Sequence, residues 1–516
     1  MAAAAAGATP ATARKTLFTT TATLLSSSLT RSSRGRRSIS CSAASAASSP
    51  RLAPQPPDLV RWVQREGGFV HPALRVTDHP EHGLGVSAAA ADGDISPGDV
   101  LITLPGRIPL RLRRPTGAAD DVLVQLAQQV PEELWAMKLG LRLLQERAKP
   151  DSFWWPYIAN LPETFTVPIF FPGDDIKNLQ YAPLLHQVNK RCRFLLEFEK
   201  EVQQKLDSVP LKDHPFYGQD VNSSSLGWAM SAASSRAFRL HGEIPMLLPL
   251  IDMCNHSFNP NARIVQEGSV NSSDMSVKAK SIISLLMKIA NKSVCLSYVT
   301  LNCYVQVVAE MKIEQNAAIT LNYGCHPNDF FLLDYGFVIT PNPYDQVELS
   351  YDGALLDAAS MAAGVSSPNF SAPAKWQQDI LSQLNLHGEG AILKVSLGGP
   401  EIVDGRLLAA LRVLLSPDPE AVHKHDLKTL MPLDAQAPLG PTVEASALRT
   451  VLALCAIALQ HFHTKIMDDE AILKGEPPLT TELAVQFRLQ KKFLIVDVMQ
   501  NISRRIKMLS PQKSTA

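Results

Sequence analysis

The chain has 516 residues, 46% hydrophobic and 19% charged, with 49 basic residues balanced by 49 acidic ones. That length exceeds one ordinary core and predicts two or three folded units of a soluble, globular kind. A generally basic nucleic-acid surface is not supported, which leaves a local basic patch open. Residues 1–50 carry a basic excess, since Arg14, Lys15, Arg31, Arg34, Arg36 and Arg37 meet no acidic residue, leaving the remainder at about −6.

The first fifty residues are rich in Ala, Ser, Thr and Arg. That is the composition of an organellar transit peptide, and Ser and Thr outweighing spaced Arg points to the chloroplast, in its stroma or nucleoid. A merely disordered tail is the plainer alternative. Pro50 to Pro57 reads as the linker to the folded protein. Leu59, Trp62 and Val63 then start a short amphipathic helix that stops at Gly67 and Gly68. Short β-like runs follow from Val76 to Pro105, with Leu101 to Leu104 as a strand.

Helical spacing dominates from about Ala118 to Phe238, as in Leu134, Met137, Leu141 and Leu144. Trp154 to Tyr157 breaks that pattern and predicts a packed loop. Met246 to Ile251 reads as a buried strand, and Val307 to Ala309 and Ala318 to Leu321 as further β structure. Beyond Ser350 the spacing turns helical again. Leu448, Leu452, Cys455, Leu459 and Phe462 form one stripe, and Leu483, Phe487, Leu494, Val498 and Ile502 another, behind a Thr480 cap. No stretch reaches 18 uncharged apolar residues, so no membrane span is expected. Seven dispersed cysteines without CxxC pairing argue against a disulfide framework and a structural zinc site.

Three stretches concentrate the chemistry. Gly83-Leu84-Gly85 lacks the third glycine of a dinucleotide site and by itself is a tight turn. Asp252, Asn255 and His256 lie just beyond an apolar run, where desolvated polar groups need partners; a capped turn satisfies the same pattern. A metal site from Cys254, His256, Cys325 and His326 has no recognised ligand spacing. Tyr323-Gly324 and Tyr335-Gly336-Phe337 flank an amphipathic stretch and read singly as core.

Taken together and in order, these stretches resemble the SET domain of the Rubisco large-subunit lysine methyltransferase class. The resemblance also takes in Trp155-Pro156-Tyr157, Leu161-Pro162, Ser235-Arg236 and Asn255-His256-Ser257. It implies an α+β fold: a β-rich SET domain over 59–345 with knot-like threading and a helical insertion, then an all-α substrate-binding domain over 350–506 and a disordered tail. The implied cofactor is S-adenosyl-L-methionine, held by Gly83, Leu84, Gly85, Arg236, Asp252, Asn255, His256 and Tyr335. Tyr323 is the implied catalytic tyrosine, with Tyr335 lining the same lysine channel. The implied activity is methylation of a lysine on a plastid protein. The stretch Asp329 to Asp334 resembles SET proteins of the plastid transcriptionally active chromosome, which implies transcription-complex subunits as partners.

Two departures bear on that expectation. His82 stands where the class often has Glu, and Ile264, Val265 and Gln266 stand where an aromatic is expected. In addition, the run from Ala279 to about Gln306 has no acidic residue and holds two of the seven cysteines. It reads as an insertion foreign to the domain, against a genuine extra hairpin. These features support a competing expectation, a SET-fold scaffold that acts by binding partners. A third is methylation of histidine instead of lysine.

Overall fold

The computed structural model describes residues 50–79, 83–89, 94–112, 117–240, 244–267, 304–365, 370–434 and 436–509. They divide into two compact units, one containing 50–170 and 191–325, the other 171–190 and 326–509.

In the first unit Asp58 accepts from the Arg61 amide and starts the helix Leu59–Arg65, which buries Leu59, Trp62 and Val63 as the spacing predicts. The strands are β1 (Phe69–Val70), β2 (Leu74–His79), β3 (Gly83–Ala88), β4 (Val100–Pro105), β5 (Leu110–Arg111), β6 (Ala237–Leu240), β7 (Ile244–Leu247), β8 (Asn255–His256), β9 (Ala262–Glu267), β10 (Tyr304–Ala309) and β11 (Thr320–Leu321). They form four small sheets, ordered β1-β4-β10-β9, β2-β3, β5-β7-β6 and β11-β8. All pairings are antiparallel except β8 with β11. Leu101, Ile102 and Leu104 of β4 have no exposure, so both faces of this strand are covered.

Several local expectations need correction. Trp155–Ile158 is a single helical turn with Pro156 at its start, not a loop. The apolar run at 246–251 is not one strand. β7 ends at Leu247, and Leu250, held at φ 73, turns the chain into the short 3-10 helix Ile251–Met253. Of the run 318–321, Thr320–Leu321 pair with β8, and Ala318 makes an isolated antiparallel bridge to Ser87 of β3. The inserted run expected over 279–306 lies outside the described residues except at its end. There Tyr304, Val305 and Gln306 open β10 and pair with β4 and β9. Val305 and Val307 alternate as 3% and 0% exposed residues of one strand, so these three belong to the sheet. His82 also lies outside the described residues.

The second unit is not all-α. It contains β12 (Gln346–Ser350) paired antiparallel with β13 (Lys394–Gly398), Val347 opposite Leu397 and Leu349 opposite Val395. Each strand is five residues long, and 43 residues separate them, so the period-2 signal is short and easily lost among helices. The helices Gly353–Ala362, Gly405–Leu415, Pro441–Gln460 and Leu479–Leu509 build the rest of its core. Pro441–Gln460 is long and apolar enough to cross a membrane by length and composition, with mean hydropathy 1.6. Its Glu444 is nonetheless buried in an ion pair with Arg412. Thr480 is not a cap. It lies inside Leu479–Leu509 and donates to Asp175 at 2.8 Å.

Candidate active site

Arg236 reaches its position through helix packing. The helix Ser223–Arg236 begins at a capping box in which the Asn222 side chain and the Ser225 amide bond at 3.0 Å, and the Ser225 hydroxyl accepts from the Asn222 amide at 3.0 Å. It packs on Ala136–Ala148, where a Cβ on Gly140 would stand 3.0 Å from the Ala229 carbonyl. Only glycine permits that approach. Arg236 ends the helix, where a cation meets the negative end of the helix dipole, before the chain turns into β6.

Arg236 Nη1 donates to the Asp252 carbonyl at 3.2 Å and lies 3.9 Å from the carboxylate Oδ2. The same Oδ2 accepts from the hydroxyl of Tyr157, a fully buried residue. Asp252 itself is 5% exposed. Burial pushes its carboxyl up from 3.8 to about 6, against the opposing pull of Arg236 and the Tyr157 hydrogen bond. The Tyr157 phenol is pushed well above its ordinary value, first by burial and then by the neighbouring Asp252 charge. Two polar atoms in this cluster, Arg236 Nε and Asp252 Oδ1, are buried without a hydrogen-bond partner among the described residues. Such orphans each cost about 1–3 kcal/mol as long as no partner meets them.

A measurable consequence follows for stability. Because folding raises this acid above its unfolded value, its stabilising contribution is complete below pH 4 and is lost as pH rises through about 6. Asp252→Asn is therefore expected to gain on the order of 2–3 kcal/mol relative to the native protein between pH 4 and pH 8. Urea melts of both proteins at the two pH values check this. Parallel profiles would show that the carboxylate is not held desolvated.

Three residues further on, β8 places Asn255 and His256 opposite Thr320 and Leu321 of β11. A Cβ on Gly85 in β3 would meet Asn255 Nδ2 at 3.3 Å and Thr77 Oγ1 at 3.8 Å, so glycine keeps a cradle open between β2, β3 and β8. Gly83 and Leu84 precede it on the same strand. His256 Nδ1 accepts from the Tyr323 amide at 3.1 Å, which makes Nδ1 the unprotonated nitrogen. The Tyr323 ring lies 5.2 Å from that of His256 and 6.3 Å from Phe238, edge-on to the latter, and its hydroxyl donates to the Cys254 carbonyl. Thus Gly83, Leu84, Gly85, Arg236, Asp252, Asn255, His256 and Tyr323 all belong to the first unit.

Tyr335 belongs to the second unit. It ends the π-helical turn Phe331–Tyr335, its ring 5.9 Å from Phe330, Phe331 and Phe337 alike, and burial raises its phenol. Ile264 and Val265, where an aromatic was expected, sit in β9 opposite Val307 and Gln306. Sequence reasoning missed Tyr157, Phe238 and the Cys254 carbonyl as parts of the site. Tyr157 had a usable signal: a tyrosine in an apolar Trp-Trp-Pro turn must find a buried partner for its hydroxyl.

Comparison with known proteins now has a structure to rest on. Residues 368–494 match the Rubisco LSMT substrate-binding family. The fold matches a crystal structure of the SET domain of LSMT bound to lysine and AdoHcy, with TM-score 0.57 and 19% identity over 88% of this chain and 91% of that one. A structure of Rubisco LSMT bound to AdoMet matches with TM-score 0.54 and 18% identity over 88% and 92%. This chain has the LSMT-type SET fold. The matched C-terminal family covers helices of the second unit together with β13. By sequence the chain is 22% identical to the actin-histidine N-methyltransferase of Gallus gallus and 23% to that of Homo sapiens, each over 85% of this chain and 67% of the relative. A shorter match to the Canis lupus familiaris protein reaches 29% over 39% of this chain and 34% of that one.

Proposed function

We propose that the first unit binds S-adenosyl-L-methionine and that the protein methylates a nitrogen on a protein side chain, with lysine as the target. One observation carries the reading. The four residues Asp252 to Asn255 join a buried, partly unpaired ion pair to an open glycine cradle, and the same turn supplies the carbonyl that orients Tyr323.

The residues fit this cofactor. Arg236, with an unpaired Nε and a side chain still 15% exposed, suits the cofactor's carboxylate, and Asp252 Oδ1 suits its ammonium. Asn255 offers both a donor and an acceptor, and its side-chain amide lies against Gly85 of β3. When bound, the cofactor supplies an electrophilic methyl group on a sulfonium. The protein's own contribution is placement and desolvation. Tyr323 gives its proton to the Cys254 carbonyl, so its oxygen presents lone pairs to an incoming N–H. An amine with a solution pKa of about 10.4 must arrive neutral, and an apolar, aromatic surround favours that form.

Calorimetry with S-adenosylmethionine on the native protein and on Asn255→Ala tests the reading. Asn255→Ala is expected to weaken binding at least about 10-fold, the loss of one or two buried hydrogen bonds. No heat from the native protein would leave the SET-fold scaffold. The actin-histidine relatives favour a second acceptor, histidine. Mass spectrometry of methylated targets separates methyl-lysine from methyl-histidine. The Ser/Thr-rich residues 1–50 support a plastid location, and the stretch 329–334 a partner in the plastid transcription complex. A fluorescent fusion outside plastids would remove both.

A further inference from the structure

Tyr157 lies on a helical turn far in sequence from the turn it touches, and its hydroxyl reaches Asp252 across 95 residues. Neither residue has a reason of packing to be polar. Phe would fill the Tyr157 site, which is fully buried, and Asp252 costs stability where it stands. The hydrogen bond ties down one carboxylate oxygen. That oxygen is the one facing Arg236 at 3.9 Å, while the Asp252 main chain holds Arg236 Nη1 at 3.2 Å. The other oxygen, Oδ1, and Arg236 Nε are the two unpaired atoms of the cluster. A carboxylate with one oxygen clamped has one rotamer, so Oδ1 and Arg236 keep fixed directions.

We propose that Tyr157 is a positioning residue for cofactor capture: its hydroxyl clamps Asp252 Oδ2, and through Asp252 it holds Arg236 ready for the amino-acid end of the ligand. This rests on the reading that the first unit binds S-adenosylmethionine. Tyr157 does not touch the ligand in this scheme. It keeps Asp252 ionised and oriented, and the ionised carboxylate keeps Arg236 in place. The titratable and charged groups around Asp252 are Arg236 and Tyr157, with the buried Cys254 thiol two residues on, whose own ionisation the Asp252 charge opposes. Arg236, the Tyr157 hydroxyl and the backbone amide of Asp252 itself favour the carboxylate, and removal of the hydroxyl leaves the other two against burial. The protonated fraction of Asp252 at neutral pH then rises.

The test is S-adenosylmethionine titration of the full-length native protein, Tyr157→Phe and Asp252→Asn by calorimetry at pH 7 and pH 9, with circular dichroism as the folding check. The native protein is expected to bind equally at both pH values. Tyr157→Phe is expected to bind about 10-fold more weakly at pH 7 and to recover most of that loss at pH 9, as Asp252 ionises; a lost hydrogen bond to a charged group has this size. Asp252→Asn is expected to bind weakly at both. A merely structural role for Tyr157 predicts a loss without pH recovery, and that result overturns the proposal. So does unchanged binding by Tyr157→Phe at pH 7. Absence of binding by the native protein is a different failure, since it removes the cofactor reading and this inference with it.

Discussion

Tyr323→Phe is expected to lower the rate of methyl transfer by about 100-fold or more while leaving cofactor affinity within about twofold, because it removes orientation of the acceptor and little else. The geometry isolates the hydroxyl. The Tyr323 amide is held by His256 Nδ1, and its ring is packed against His256 and Phe238, so the ring stays in place when the oxygen is lost. What disappears is the group anchored on the Cys254 carbonyl. Single-turnover kinetics with saturating cofactor, together with calorimetry, read the two quantities separately. A variant that transfers at the native rate would remove Tyr323 from the chemistry. A variant that fails to bind cofactor would reassign it to the cofactor pocket.

The second large effect lies in the other unit and concerns stability. Arg412 is fully buried, and its Nε and Nη2 donate to both oxygens of Glu444 at 2.7 and 2.8 Å. Its Nη1 also donates to the Leu430 and Pro432 carbonyls, at 2.6 and 3.0 Å. Four of its five N–H groups are used, in a planar fork that a lysine ammonium cannot reproduce. Arg412→Met is expected to destabilise the unit by about 3–5 kcal/mol, because it strands a buried carboxylate and two carbonyls. Arg412→Met combined with Glu444→Leu is expected to recover most of that loss. Guanidinium denaturation of the three proteins reads this directly. Equal losses in the single and double variants would show that the carbonyl contacts, and not the ion pair, hold the helices together.

The polar clusters around Asp252 and Arg412 differ in kind. Around Asp252 polar groups are buried with bonds left unmade, and the unit forgoes stability there. Around Arg412 every polar group is satisfied.

Much of the first unit was legible in the chain. The helix at Leu59, the strand at Leu101–Leu104, the long helical region and the candidate stretches at 83–85, 252–256 and 323 all have local signals: periodicity, glycine spacing, and polar residues abutting apolar runs. What failed was local detail where tertiary forces overrode a short pattern. The run 246–251 looks like one strand, yet Pro249 and the left-handed Leu250 bend it so that Asp252 turns inward. Val305 and Gln306 read as foreign because their neighbours are unusual in composition, whereas pairing with β4 and β9 makes them part of the sheet. The strands β12 and β13 are too short to announce themselves between helices.

The sequence by itself determined most of the candidate residues and the order in which they come, since motif identity is a property of neighbours along the chain. Tertiary structure alone decided what those residues do to one another. The Tyr157 hydroxyl and Asp252 lie 95 residues apart in the chain, and β8 meets β11 across more than sixty. No periodicity encodes such meetings. They arise because burial of separate apolar faces brings distant segments together, and the desolvation this imposes turns an ordinary aspartate, tyrosine and arginine into one coupled group.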